Sequence, residues 1–136
     1  MTNYESKVTV NQPKAKIFEQ LADMRNLEKY KEAFPQGFIG EMEFSQDYII
    51  AKSLQFGEVT LRLTEKEEQT KLKFSLENFP VNANFFVQLE EVQPEKTQIK
   101  LILEVDIPFF ARPMVDGKMQ SGLDKAAEMI AKTLNK

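Results

Sequence analysis

Apolar and polar residues alternate every second position over most of this chain, then switch near its end to a spacing of three and four. Tyr4, Ser6, Val8 and Val10 alternate with Glu5, Lys7 and Thr9, which predicts a strand with one wetter face. Asn11 is placed to cap a following helix, with Pro13 in its first turn and Ile17, Phe18, Leu21 and Ala22 at helical spacing. After a break at Asp23 to Asn26, the residues Leu27, Tyr30, Lys31 and Phe34 continue that spacing until Pro35 and Gly37 end it. Two short helices are therefore expected after the first strand.

From Phe38 to Ile107 the period returns to two. Val59, Leu61 and Leu63 stand against Glu58, Thr60, Arg62 and Thr64, and Leu72, Phe74 and Leu76 against Lys71, Lys73 and Ser75. Phe85, Val87 and Leu89 and the set Ile99, Leu101, Leu103 and Val105 follow the same rule, as antiparallel strands sharing one core do. Turn signals fall at Ser45-Gln46-Asp47, Glu67-Glu68-Gln69, Asn78 to Asn84 and Gln93-Pro94-Glu95-Lys96, with weaker punctuation at Phe56-Gly57. Connections this short imply sequential hairpins.

Ile107-Pro108-Phe109-Phe110-Ala111-Arg112-Pro113 stops the alternation, and the residues to about Thr133 read as one helix. Its apolar stripe is Val115, Met119, Leu123, Ala126, Ala127, Ile130 and Leu134, with Asp116, Lys118, Asp124, Lys125, Glu128 and Lys132 mostly elsewhere. About 22 residues at 1.5 Å each would span roughly 33 Å, the length of a nine- or ten-residue strand. The expected architecture is α+β: a curved antiparallel sheet of about seven strands wrapped around a long C-terminal helix. No repeat or linker divides the chain, so residues 1–136 are expected to form one domain.

Composition narrows the chemistry. Hydrophobic residues at 42% and charged residues at 29% suit a globular chain, and no apolar stretch is long enough for a membrane span. The first residues carry no apolar run after their charges, so a cytoplasmic location is expected. Zero cysteines and zero histidines remove thiol catalysis, the commonest metal ligand and the commonest general base. Glu65-Lys66-Glu67-Glu68 lacks the spacing of a calcium loop, so neither a metal nor another cofactor is expected. A net charge of −3 with dispersed lysines speaks against nucleic acid as a partner.

The segment from Ser6 to Asp23, with its strand, its Asn11-Gln12-Pro13 turn and its Ile17-Phe18 helix, resembles the opening of the START-like (SRPBCC) superfamily. Tyr30 to Pro35 resembles the stretch before that family's first long hairpin, and Ile107-Pro108 the approach to its closing helix. The chain has no tryptophan where many relatives place one near the end of the second helix; Tyr30 and Phe34 stand in that region. The resemblance implies a helix-grip fold with an apolar cavity between sheet and helix. It also implies several activities: binding or carriage of a hydrophobic small molecule or lipid, polyketide cyclisation or aromatisation, and protein interaction.

The expected cavity lining is Leu61, Leu63, Phe74, Leu76, Phe85, Val87, Leu101 and Leu103 from the strands, with Met114, Val115, Met119 and Leu123 from the helix. The same side chains would also fill an ordinary core. Met114 and Met119 at the mouth suit a variable apolar ligand. Arg112 is placed to meet a carboxylate or phosphate head group, and Tyr48 to orient a ligand through its hydroxyl. Gly122, inside the helix, suggests either space for a ligand or close packing on a strand. Arg62, Glu104 and Asp106 fall on the wet face. For acid–base work only carboxylates, lysines and Tyr4, Tyr30 and Tyr48 remain, which weighs toward binding over catalysis, by a ligand-filled domain that is not integral to a membrane.

Overall fold

The computed structural model describes residues 2–33, 38–53, 57–79 and 81–134. Seven strands, β1 (Thr2–Val10), β2 (Phe38–Phe44), β3 (Tyr48–Ser53), β4 (Gly57–Glu67), β5 (Lys71–Glu77), β6 (Ala83–Gln93) and β7 (Lys96–Val105), make one antiparallel sheet in the order β1-β7-β6-β5-β4-β3-β2. From β2 onward every neighbour in sequence is a neighbour in space. The exception is β1, which the helical segment after it carries to the far edge from β2, where β7 returns to pair with it. The sheet curves around the long helix α2 (Arg112–Leu134), the helix-grip arrangement.

Helix α1 (Lys14–Ala22) begins at Pro13, two residues after the expected Asn11, and has no side-chain capping hydrogen bond. The Pro13 carbonyl accepts from the Lys16 and Ile17 amides instead, at 3.1 and 3.3 Å. The expected break is sharper than the sequence suggests. Asp23 alone is extended, its carboxylate accepting from the Arg25 backbone amide at 3.0 Å in an Asx-type turn, while the Asn26 side-chain amide bonds the Gln20 carbonyl at 3.1 Å. The second helix is a 3₁₀ segment, Met24–Ala33. Its first residue is fully buried and its amide bonds the Gln46 carbonyl at 3.0 Å, tying the helical layer to the β2–β3 turn. The expected end at Phe34, Pro35 and Gly37 lies outside the described residues, as do Leu54 and Phe56.

Strand alternation sorts the side chains as expected. Across β1, β7, β6, β5 and β4 the residues Tyr4, Leu103, Phe85, Phe74 and Leu63 stand in one inward row. Ser6, Leu101, Val87 and Leu72 form the next. A bulge between Leu63 and Glu65 then shifts β4 against β5, so the inward alternation of β4 ends at Leu63. The outward rows carry Lys7, Lys100, Gln88 and Lys71, and Glu5, Ile102, Phe86 and Lys73.

The core is densest toward α1. Ile17, Leu21, Met24, Leu72, Val87, Ile99, Leu101, Leu123, Ala127 and Leu134 are all buried. Each large one among them contributes about 1.5–3 kcal/mol of transfer free energy before conformational entropy is counted. Among the described residues no helix is long and apolar enough to cross a membrane.

Candidate functional site

Three polar ties fix how α2 lies on the sheet. The Tyr4 hydroxyl donates to the Asp116 carboxylate, the Gln120 side-chain amide donates to the Glu5 carbonyl at 2.8 Å, and the Gln12 side-chain amide donates to the Leu134 carbonyl. Helix and first strand therefore run the same way. From Tyr4 through the end of β1 and the turn to Gln12, the chain keeps pace with about 27 Å of helix from Asp116 to Leu134. Thr97, fully buried on β7, donates to the Gln12 carbonyl at 2.8 Å and completes the tie at the far end.

The C-terminal half of α2, with α1, covers the rows of Leu101, Val87, Leu72 and Ile99, all buried. The N-terminal half lies along β1, tied to Tyr4 and Glu5. On the rows beyond Leu101, Leu61, Leu63, Leu76, Phe85 and Leu103, with Val115 and Met119 from the helix, are partly buried, standing among the buried Phe74, Ala83 and Val105. Apolar surface on an inner face that its own helix leaves partly uncovered is what a ligand would cover.

A polar group marks the end of that surface. Tyr4 is 6% exposed, beside Leu103, and its hydroxyl is bonded to Asp116; Arg112 lies one turn back with Nε 3.8 Å from the same carboxylate oxygen. Burial first, then the hydrogen bond and the negative charge of Asp116, push the Tyr4 pKa up to about 12 against a smaller opposing pull from Arg112. At neutral pH Tyr4 is a neutral donor whose proton is engaged by Asp116.

The expected lining residues separate accordingly. Phe74, Val87, Leu101 and Leu123 are buried core members, while Leu61, Leu63, Leu76, Phe85, Leu103, Val115 and Met119 are partly buried. Met114 is 77% exposed, outside the inner face. Arg112 is half exposed and faces an internal carboxylate, Asp116. Tyr48 is corrected: it pairs with Arg62 on the outer face, where the guanidinium lies 5.3 Å from its ring and 3.1 Å from Glu77. Its strand parity follows Ile50, opposite to the buried Ile49 and Ala51, so its hydroxyl cannot reach the inner face. Gly122 is corrected as well, since a Cβ there meets nothing within 4 Å and the residue is exposed, so neither a ligand nor a strand sits against it.

Sequence reasoning passed over Asp116. The signal was there: Asp116, Leu123, Ala127 and Leu134 are spaced by seven, four and seven, so the aspartate shares the azimuth of the three buried residues of α2.

No protein-family model and no curated protein matches the sequence. Solved structures do match. A protein from Chromobacterium violaceum is similar over 100% of this chain and 99% of its own, with a TM-score of 0.71 at 12% identity. A conserved protein from Geobacillus kaustophilus gives 0.71 at 16% identity over 98% and 95% of the two chains. Norcoclaurine synthase from Thalictrum flavum, solved with dopamine and hydroxybenzaldehyde, gives 0.73 at 12% identity over 97% and 85%. The likeness is one of fold. It extends the helix-grip arrangement to the whole chain, and leaves the chemistry of the inner face to this chain's own residues.

A concavity lies on the outer face, a groove of ≈ 280 Å³ beside the β4–β5 turn lined by Glu67, Lys71, Gln88, Glu90, Gln98 and Lys100 among others. Its mixed charges and its place across the sheet from α2 separate it from the site described above.

Proposed function

We propose that the chain is one domain that binds or carries a hydrophobic small molecule or lipid-like ligand on the inner face. The observation that supports this reading is the partial exposure of apolar side chains on the inner face, where Leu61, Leu76, Phe85, Leu103 and Met119 stay partly uncovered beside the buried Phe74, Ala83 and Val105. Covering ~300 Å² of apolar ligand surface at ~25 cal/mol per Å² supplies a gross ~7.5 kcal/mol. Loss of ligand freedom removes much of it, so affinity is modest unless polar contacts add to it. Arg112, half exposed beside this surface, suits an oxygen-bearing end of the ligand.

A cyclase-like enzyme on the same fold would need a proton donor or acceptor working near neutral pH. Tyr4 is the titratable group best placed for it, and its pKa has moved away from that range. This favours carriage, in which Tyr4 and Asp116 hold the helix and shape the polar end of the site.

Native mass spectrometry of protein purified without detergent, followed by solvent extraction, tests the reading. A stoichiometric adduct of an apolar compound is the expected result. A bare mass, together with no uptake of an apolar dye or fatty acid, would overturn it.

A further inference from the structure

We propose that the turn ahead of α2 and the solvent face of that helix dock on a lipid bilayer bearing anionic headgroups. Phe109, Phe110 and Met114 are 87%, 79% and 77% exposed, within six consecutive residues that include Pro113 and follow Pro108. Single exposed apolar side chains are ordinary, but three large ones on one proline-framed turn form a patch. Among the described residues nothing covers them, and Pro108 and Pro113 restrict the backbone from turning the two phenylalanines inward.

The helix that follows supplies the second observation. At 100° per residue Met114, Lys118, Lys125 and Lys132 fall within about 40° of one line, opposite the buried Leu123. All four are exposed, and none of the three lysines forms an ion pair with a described residue. Ser121 lies on the same line, and Gly117 flanks it with open space where a side chain would stand. The nearby acids fall to one side: Glu128 is the closer, and Asp124 accepts from Gln120 at 3.0 Å. An apolar tip leading into a row of cations about 21 Å long is the pattern of an element lying in a membrane interface. The whole chain is net −3, so this row is local and not a general excess of positive charge.

A bilayer fits better than a protein groove because the apolar part is only three side chains on a short turn, while the cations extend along a line that suits a flat anionic surface. Val115 and Met119, partly buried and about 80–120° round the helix from the middle of that line, stand beside the docking face, so docking brings their side of the inner face near the lipids. The inference goes beyond the carrier reading and fails separately from it, since vesicle binding requires no ligand in the site.

The test is flotation with vesicles of phosphatidylcholine alone and with about one third phosphatidylserine. The unaltered chain should partition onto the anionic vesicles, and more weakly onto the neutral ones. Phe109→Ser with Phe110→Ser should lower partition about tenfold or more, and Lys118→Ala with Lys125→Ala and Lys132→Ala roughly 100-fold on anionic vesicles alone. All five positions are exposed, and circular dichroism checks that the variants stay folded. No partition of the unaltered chain onto either vesicle, or partition unchanged in both variants, would overturn the proposal. Self-association abolished by the phenylalanine pair, without vesicle binding, would assign the turn to a second copy of the chain.

Discussion

The Tyr4 hydroxyl donates to the Asp116 carboxylate across 112 residues of sequence, joining the first strand to the first turns of the last helix. With the Gln120–Glu5 and Gln12–Leu134 bonds it fixes how α2 lies along β1. Tyr4 is raised from 10.0 to about 12 in the folded chain, which means the folded state holds the phenol proton more tightly than the unfolded state. The stability this contributes is fully present below pH 10 and is lost as pH rises toward about 12. In a near-ultraviolet titration a late tyrosine component near pH 12 is expected, and Tyr4→Phe should remove it. If the variant instead removes a component near 10, the hydrogen bond is not made in solution.

Leu101 and Leu103 stand two residues apart on the same face of β7, yet one is fully buried and the other is not. Leu101→Ala should cost about 2–5 kcal/mol in a urea melt and leave apolar dye uptake nearly unchanged. Leu103→Ala should cost less, because part of its surface is already open, and should weaken dye uptake severalfold. Equal effects of the two substitutions on both measurements would mean that the inner face is a uniform core.

Gly117 and Gly122 lie within α2 with open space where a Cβ would stand. Each replaced by alanine should stabilise the chain by about 0.5–1 kcal/mol through helix propensity and a less flexible unfolded state. Denaturant midpoints should rise in both variants and add in the double variant. A fall in either would show that the position contacts something in solution.

Thr97 is fully buried and its hydroxyl donates to the Gln12 carbonyl, while the Gln12 side chain donates to the last carbonyl of α2. Thr97→Val keeps the volume and removes the donor, leaving a partly buried carbonyl without it at a cost of about 1 kcal/mol. Thr97→Ser restores the hydroxyl and should recover most of the loss apart from its missing methyl group.

Strand parity was legible wherever it was local. The inward sets of β1, β5, β6 and β7 could be read from residues two apart, because the pleat alternates side chains whatever the sheet packs against. The breaks at Asp23, at the hairpin turns and at Pro108 were legible for the same reason, since each depends on the backbone preferences of a few adjacent residues. Tyr48 was ambiguous because its strand is short and mixed in pattern, and only pairing with Arg62 on β4 settled its face. Asp116 was passed over because a charged residue on an apolar stripe is ordinarily read as solvent-facing until a partner for it is known.

The sequence by itself determined the order of strands and helices, the face of most strands and the absence of cysteine and histidine chemistry, because periodicity and composition act locally along the chain. Only the tertiary structure decided that Asp116 meets Tyr4, that Arg112 has an internal partner, that Gly122 faces open space and that Leu61, Leu76, Phe85 and Leu103 stay partly uncovered. Those facts depend on the azimuth and position of α2 against β1. Contacts between residues more than a hundred positions apart set both, and no local pattern encodes them.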